Sequence, residues 1–275
     1  MVRTVNIKEF QAKLLEMLLS FHVFCVEHHL TYYMVGGTLL GAVREKGFVP
    51  WDDDIDIAMP RPDYERFIRE YSGSMYVNSI HSNKRHFFPY TKLISKEEPA
   101  LEIEDTKYSL KGTANLQLDL YPVDGVGNDE KKALSLEKKV RFLKRILYIN
   151  ITTDRGISLI KNCIRRIVRV FPTGIILKEI DKTMQSFSYF DSNLCTRWRE
   201  INGITSILDK RIFGAPVLLQ FEDFNFYAPQ NYDAYLTAVY GDYMTPKREN
   251  LGLRHDIRKS NQQKQSIITK QEETS

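Results

Sequence analysis

Four carboxylates in five positions, Asp52, Asp53, Asp54 and Asp56, constrain this chain more than any other stretch. Like charges held so close repel one another, so a fold that keeps them needs open solvent or a cation. The neighbouring residues favour the cation. Asp54, Ile55, Asp56 and Ile57 alternate as a half-buried strand does. That sets Asp54 and Asp56 on one face and the two isoleucines on the other. A solvated acidic turn has no need of such alternation. Hard divalent cations take oxygen ligands, and Mg²⁺ is commonly held by one or two carboxylates together with phosphate oxygens. Upstream, residues 32–35 read as a short strand running into Gly36-Gly37, and residues 38–44 as a helix. A glycine turn at a helix start leaves backbone N–H groups ready for an anion. A glycine pair alone marks a plain turn. Beside the carboxylates, Gly36, Gly37 and Thr38 become candidates for a phosphate cradle.

The rest of the composition excludes more than it specifies. Apolar residues at 43% and charged residues at 27% are ordinary for a soluble globular chain with a sizeable core. A net charge of +4 is too mild to argue for a nucleic-acid partner. Cys25, Cys163 and Cys195 are an odd, widely spaced set, which argues against a disulfide framework and a cysteine zinc site. The first residues carry no apolar signal region. No stretch approaches the roughly 20 apolar residues of a membrane span. The expectation is a cytoplasmic protein.

Residues 6–30 read as a helix, with Phe10, Leu14, Met17, Leu18 and Phe21 on one side and His28-His29 closing it. Arg61-Pro62-Asp63 opens another helix. Strands are expected over 75–80, 90–94 and 100–104. The clearest covers 116–120, with leucines on one face and Gln117 and Asp119 on the other; residues 121–125 read as a turn shaped by Asp124. From 129 to about 190 the chain becomes helical and basic. There Ile160, Cys163, Ile164, Ile167, Val168 and Phe171 make one face, and Lys161, Arg165 and Arg169 another, with Arg166 nearby. That pattern suits a helix packed on the core with a solvated basic side, or an element lying in the interface of an anionic membrane. Strand character returns over 215–228 and a short helix over 229–240. The expected organisation is a core over 1–128, a helical basic insertion over 129–190, a part completing the core over 191–256, and a flexible polar tail over 257–275.

Paired acids on one strand face, Asp119 on another strand and a glycine turn suit phosphoryl transfer. That chemistry asks a protein for positioning and charge neutralisation rather than covalent help. A cation at Asp54 and Asp56 would bridge nucleotide phosphates. Asp119 is then a further ligand, or the base for an attacking hydroxyl; on its own it would be a turn acid. Arg44 and Lys92 are candidates to bind pyrophosphate, against a surface role for each. Trp51, Tyr240 and Tyr243 suit an aromatic cage for a quaternary ammonium, against a place in the core. Asp53, Asp242 and His255 are further candidates for substrate contact, the last two against turn or surface roles.

The run GGTLLGAVREKGFVPWDDDIDIAMPRPDYERF resembles the LicD family, whose members are described as phosphocholine transferases and relatives, fukutin-related proteins among them. LQLDLYPVDGV and YLTAVYGDYMTPKRENLGLRH look like the family's second and third blocks, so the likeness covers much of 32–70, 115–127 and 229–256. The resemblance implies an α/β fold of the α+β kind: a nucleotidyltransferase-like mixed sheet flanked by helices, with a helical insertion. In it Asp54 and Asp56 match the paired metal-binding acids and Asp119 the third, with Mg²⁺ or Mn²⁺ as the ion. The separation of Gly37 from Asp54 is somewhat long for the general nucleotidyltransferase pattern, which marks loop 44–51 as a substrate contact. The implied reaction moves phosphocholine or another phospho-alcohol from a CDP-linked donor to a glycan or teichoic-acid precursor, releasing CMP. A lipid-linked acceptor on the inner membrane face would give the basic helices a purpose. Two other readings keep the fold: transfer of a nucleotidyl group, and a glycan-assembly scaffold without activity, against which the three acids argue.

Overall fold

The Asn6 side chain accepts a hydrogen bond from the Glu9 backbone N–H at 2.9 Å and starts the first helix. The computed structural model describes residues 3–83, 86–107, 110–151, 171–198 and 207–245. In chain order the first elements are β1 (Thr4–Val5), α1 (Ile7–Glu27), β2 (Tyr33–Met34), α2 (Gly36–Arg44), β3 (Ile55–Pro60), α3 (Arg61–Glu70) and β4 (Met75–Asn78). There follow β5 (Thr91–Ser95), β6 (Ala100–Asp105), β7 (Leu110–Asn115), β8 (Gln117–Gly125), α4 (Glu130–Ile151) and α5 (Thr173–Met184). The chain continues through β9 (Leu194–Thr196), β10 (Leu208–Asp209), β11 (Val217–Phe221), β12 (Phe224–Ala228) and α6 (Tyr232–Tyr240). This is the α+β architecture expected.

The main sheet runs β10-β9-β8-β3-β2, with β5 also on β8 and β4 on β5. It is mixed: β3 and β8 are parallel, the other pairs antiparallel. The stripe of α1 packs here because its apolar residues recur at helical spacing; Phe10, Leu14, Leu18 and Phe21 are fully buried. His28 ends the helix, its ring stacked on Phe24 and its Nδ1 2.9 Å from the Phe24 carbonyl. That is a cap.

The turn expected over 121–125 is corrected: β8 continues to Gly125. Pro122 has no N–H to give, so an interior strand tolerates it only where one edge is unpaired. That condition is met. β5 pairs with Gln117 to Leu120, and β9 pairs with Asp124 and Gly125. Among the described residues no strand takes 121–123 on that side. On the other side β3 runs past Pro122 in register, Met59 opposite it.

The helical section has its own apolar seam. Ala133, Val140 and Leu147 recur every seven residues along α4 and are buried against Ile176, Leu177 and Ile180 of α5. A buried ion pair ties the seam to the sheet. Arg61 Nε and Nη2 donate to the two Asp124 oxygens at 2.6 and 2.7 Å, and Trp198 Nε1 donates to Asp124 Oδ2 at 2.6 Å. Arg61 Nη1 also reaches Glu65 at 2.9 Å and Asp181 of α5 at 3.1 Å. Burial works against the Arg61 cation, but Asp124 outweighs it and holds the guanidinium above its ordinary value. Asp124 is therefore a buried partner of Arg61, and the expectation that it shapes a turn is corrected. The basic run Arg165, Arg166 and Arg169, proposed above for membrane contact, and the tail 257–275 lie outside the described residues. Among the described residues no helix is long and apolar enough to cross a membrane.

Candidate active site

Parallel pairing of β3 on β8 sets Asp56 opposite Asp119. Antiparallel pairing of β5 on the other edge of β8 sets Lys92 opposite the same Asp119. The Lys92 ammonium donates to Asp119 Oδ1 at 2.6 Å, and the Tyr121 hydroxyl donates to Oδ2 at 3.3 Å. Lys92 also lies 4.7 Å from the Phe88 ring centre and 5.3 Å from that of Tyr90. So Lys92, expected at a pyrophosphate, is placed against the third acid. A buried, charge-assisted bond of this length fixes the Asp119 carboxylate in one orientation.

The other acids arrive on the loop before β3. Asp52, Asp53 and Asp54 are all buried, and among the described residues they are the one carboxylate trio with ligand atoms all within 4.8 Å of one another. Asp56 and Asp119 stand on the adjoining strands. The expected set of Asp54, Asp56 and Asp119 is thus spread over the loop, β3 and β8, and Asp52 and Asp53 join Asp54 more closely than the alternation suggested.

The glycines admit this acidic loop to the start of α2. Gly36 has φ +59°, and a Cβ there would lie 2.1 Å from Asp56 Oδ2; one on Gly37 would lie 2.5 Å from Asp52 Oδ2. Only a residue without a side chain allows both approaches. Thr38 faces the same place: its hydroxyl accepts from the Asp56 backbone N–H at 2.8 Å, while the Asp56 carbonyl accepts from the Val35 N–H at 3.1 Å. The turn positions the acids.

Two supports gave no sequence signal. Gln11, a buried amide on α1, donates to the carbonyls of Val49 at 3.2 Å and Asp52 at 3.0 Å. Glu222, at the tip of the β11–β12 hairpin, accepts from the Phe48 N–H at 3.0 Å and donates its own N–H to the Lys46 carbonyl at 2.7 Å. Loop 44–51, expected to contact substrate, is thus held from both sides, with Phe48 and Val49 buried. Gln11→Ala takes the amide donor from the Asp52 carbonyl, while the Val49 carbonyl keeps the Asp52 N–H at 2.9 Å, and the expected cost is about 1–3 kcal/mol in urea unfolding. An unchanged midpoint would contradict the role given to Gln11.

The remaining candidates stand on α2, on the loop before β3 and around α6. Arg44 ends α2 with its Nε 2.7 Å from Glu45. Trp51, Tyr240 and Tyr243 are half-buried against the main core, and the Tyr243 hydroxyl donates to Asp233 at 2.5 Å. Asp242 accepts from the Thr245 N–H at 3.3 Å and hydroxyl at 2.7 Å, capping an exposed turn. His255 lies outside the described residues. Sequence reasoning did not single out Arg141, Lys144, Arg145 and Arg197, which line a cleft of about 610 Å³ together with Asp119.

Comparison with known proteins matches residues 29–148 to the family described as LicD/FKTN/FKRP, nucleotidyltransferase domain. That span holds all five acids and most of α4. The lipopolysaccharide cholinephosphotransferase LicD of Haemophilus influenzae is 27% identical over 256 residues, covering 88% of this chain and 93% of its own length. An uncharacterized protein of Rickettsia typhi is 36% identical over 67 residues, 24% of this chain and 22% of that protein. Another from Rickettsia prowazekii is 38% identical over 50 residues, 18% of this chain and 19% of its own.

Proposed function

This chain belongs to the LicD family, and we propose that it transfers phosphocholine or a similar phospho-alcohol from a CDP-linked donor to a glycan hydroxyl, releasing CMP. The observation that carries the reading is the register of β3 on β8. It places Asp56 beside Asp119, with Asp52, Asp53 and Asp54 gathered where β3 begins. Buried carboxylates this close suit a hard divalent cation, Mg²⁺ or Mn²⁺, since every donor is oxygen. Asp54 and Asp56 would hold it, with Asp52, Asp53 and Asp119 at hand. When bound, such an ion neutralises charge on the phosphate oxygens.

The protein's own residues then have separate tasks. Gly36, Gly37 and Thr38 set the acidic loop at the start of α2 and offer backbone N–H groups to the donor phosphates. Asp119, held through Oδ1 by Lys92, takes the proton of the acceptor hydroxyl. The hydroxyl oxygen forms a bond to the phosphorus bearing the alcohol, and the bond from that phosphorus to the CMP oxygen breaks in line. The acceptor is a cell-surface glycan precursor, lipid-linked and met at the inner membrane face.

A donor labelled in both the choline and the cytidine separates this reaction from nucleotidyl transfer. The expected result is choline label on a lipopolysaccharide or lipid-linked glycan acceptor and cytidine label in free CMP. Cytidine label on the acceptor would overturn the proposal in favour of nucleotidyl transfer.

A further inference from the structure

The cleft beside Asp119 carries positive charge that the acidic site does not use. Arg141, Lys144, Arg145 and Tyr148 fall at helical spacing on one stripe of α4 and all line it. Arg197 and Trp198, just past β9, line it as well. Two of the cations have protein partners: Arg141 reaches Glu137 at 3.6 Å, and Lys144 donates to the Trp198 carbonyl. Arg197 differs. It is 4% exposed, and neither Nη1 nor Nη2 has a hydrogen-bond partner among the described residues. Its guanidinium sits 5.7 Å from the ring centres of both Tyr121 and Tyr235, which offsets only part of its desolvation. A buried guanidinium without an anion destabilises a fold, because its lost hydration is not replaced. An arginine kept at that cost, in a cleft with three more cations, calls for an anionic ligand.

Building on the transferase reading, we propose that this cleft takes the acceptor, and that the acceptor carries a phosphate or carboxylate on or next to the sugar presented to Asp119. The donor diphosphate is the other possible anion, but its place is at the acidic loop and the start of α2. Asp52, Asp53, Asp54, Asp56, Gly36 and Gly37 do not line the cleft, whereas Asp119, the group facing the attacking hydroxyl, does. The tyrosines Tyr90, Tyr121 and Tyr148, with Trp198, also line it and offer flat apolar faces beside the cations. That pairing suits a sugar ring with a charged substituent.

The test measures binding of galactose 6-phosphate, galactose and CDP-choline to the full chain by calorimetry and ligand-observed NMR. The proteins are wild type, Arg197→Gln and Arg145→Gln; Arg145 is exposed, so its replacement leaves folding intact. Galactose 6-phosphate should bind wild type about tenfold or more tighter than galactose, and lose about tenfold in Arg197→Gln and about threefold in Arg145→Gln. CDP-choline affinity should stay within about twofold in both variants. Arg197→Gln should also melt no lower than wild type, whereas a merely structural arginine would lower the melting temperature. Equal sugar-phosphate affinity in all three proteins, or no preference for the phosphate, would overturn the proposal. A parallel fall in CDP-choline affinity would assign the cleft to the donor and overturn the acceptor role. Failure of the transferase reading looks different: intact, Arg197-dependent sugar-phosphate binding by a wild type that neither binds nor turns over any CDP-alcohol overturns that reading and the acceptor role with it.

Discussion

Asp54→Asn and Asp56→Asn should each lower phospho-alcohol transfer by about a thousandfold or more while the protein still folds, because on the proposed function each would remove a charged oxygen ligand of the cation at the phosphate. Asparagine keeps the size of aspartate, but loses the charge and exchanges one acceptor oxygen for an NH₂ donor. The Asp56 backbone contacts to Thr38 and Val35 are left in place by the substitution. Asp54 sits in a trio of carboxylates within 4.8 Å, so neutralising one of them relieves repulsion in the metal-free protein. The melting temperature without divalent ion should therefore hold or rise. The added stability that Mg²⁺ gives wild type should shrink, since a ligand stabilises only the state it binds. Loss of activity together with collapse of the fold would point to a structural role for these acids. Near-wild-type activity in both variants would remove the cation from Asp54 and Asp56.

The second large effect lies away from the chemistry. Arg61→Met should cost about 3–5 kcal/mol in urea unfolding, because it leaves the Asp124 carboxylate buried without its cation. Asp124→Leu should cost a similar amount by stranding Arg61, although Glu65 and Asp181 still neighbour that guanidinium. The double replacement should cost clearly less than the sum of the two, since neither charge is then left alone. Additive costs of under about 1 kcal/mol each would describe a surface pair and contradict the assignment. The pair also joins α3, β8 and α5, and Trp198 bonds to the same carboxylate beside the cation-lined cleft. Sugar-phosphate binding should weaken along with stability in either single variant.

What could be read in the residues was what repeats locally. The alternation at Asp54 to Ile57 and at Leu116 to Leu120 marks the two strands that bring Asp56 and Asp119 together, and the stripe of α1 marks the helix behind them. Gly36 and Gly37 announced a special backbone, and the reason is the close approach of Asp56 and Asp52. What could not be read depends on distant partners. Pro-Val-Asp-Gly looks like a turn until one knows that β5 stops and β9 begins on either side of Pro122. Asp124 has no local sign of its pairing with Arg61, which lies on another element. Gln11 passes for a polar helix residue, though the fold turns it onto the acidic loop. The cations of α4 resemble any solvated basic helix face; packing of the neighbouring stripe on α5 places them beside Asp119.

The central claim, transfer from a CDP-linked donor at the carboxylate site, is tested most directly by CMP release. Wild type and Asp54→Asn are incubated with Mg²⁺, a lipopolysaccharide or lipid-linked glycan acceptor, and CDP-choline, CDP-ribitol or CDP-glycerol in turn. The predicted result is acceptor-dependent CMP from at least one donor, abolished by EDTA and by Asp54→Asn. CMP from none of the donors, or CMP formed equally by Asp54→Asn and in EDTA, would contradict it.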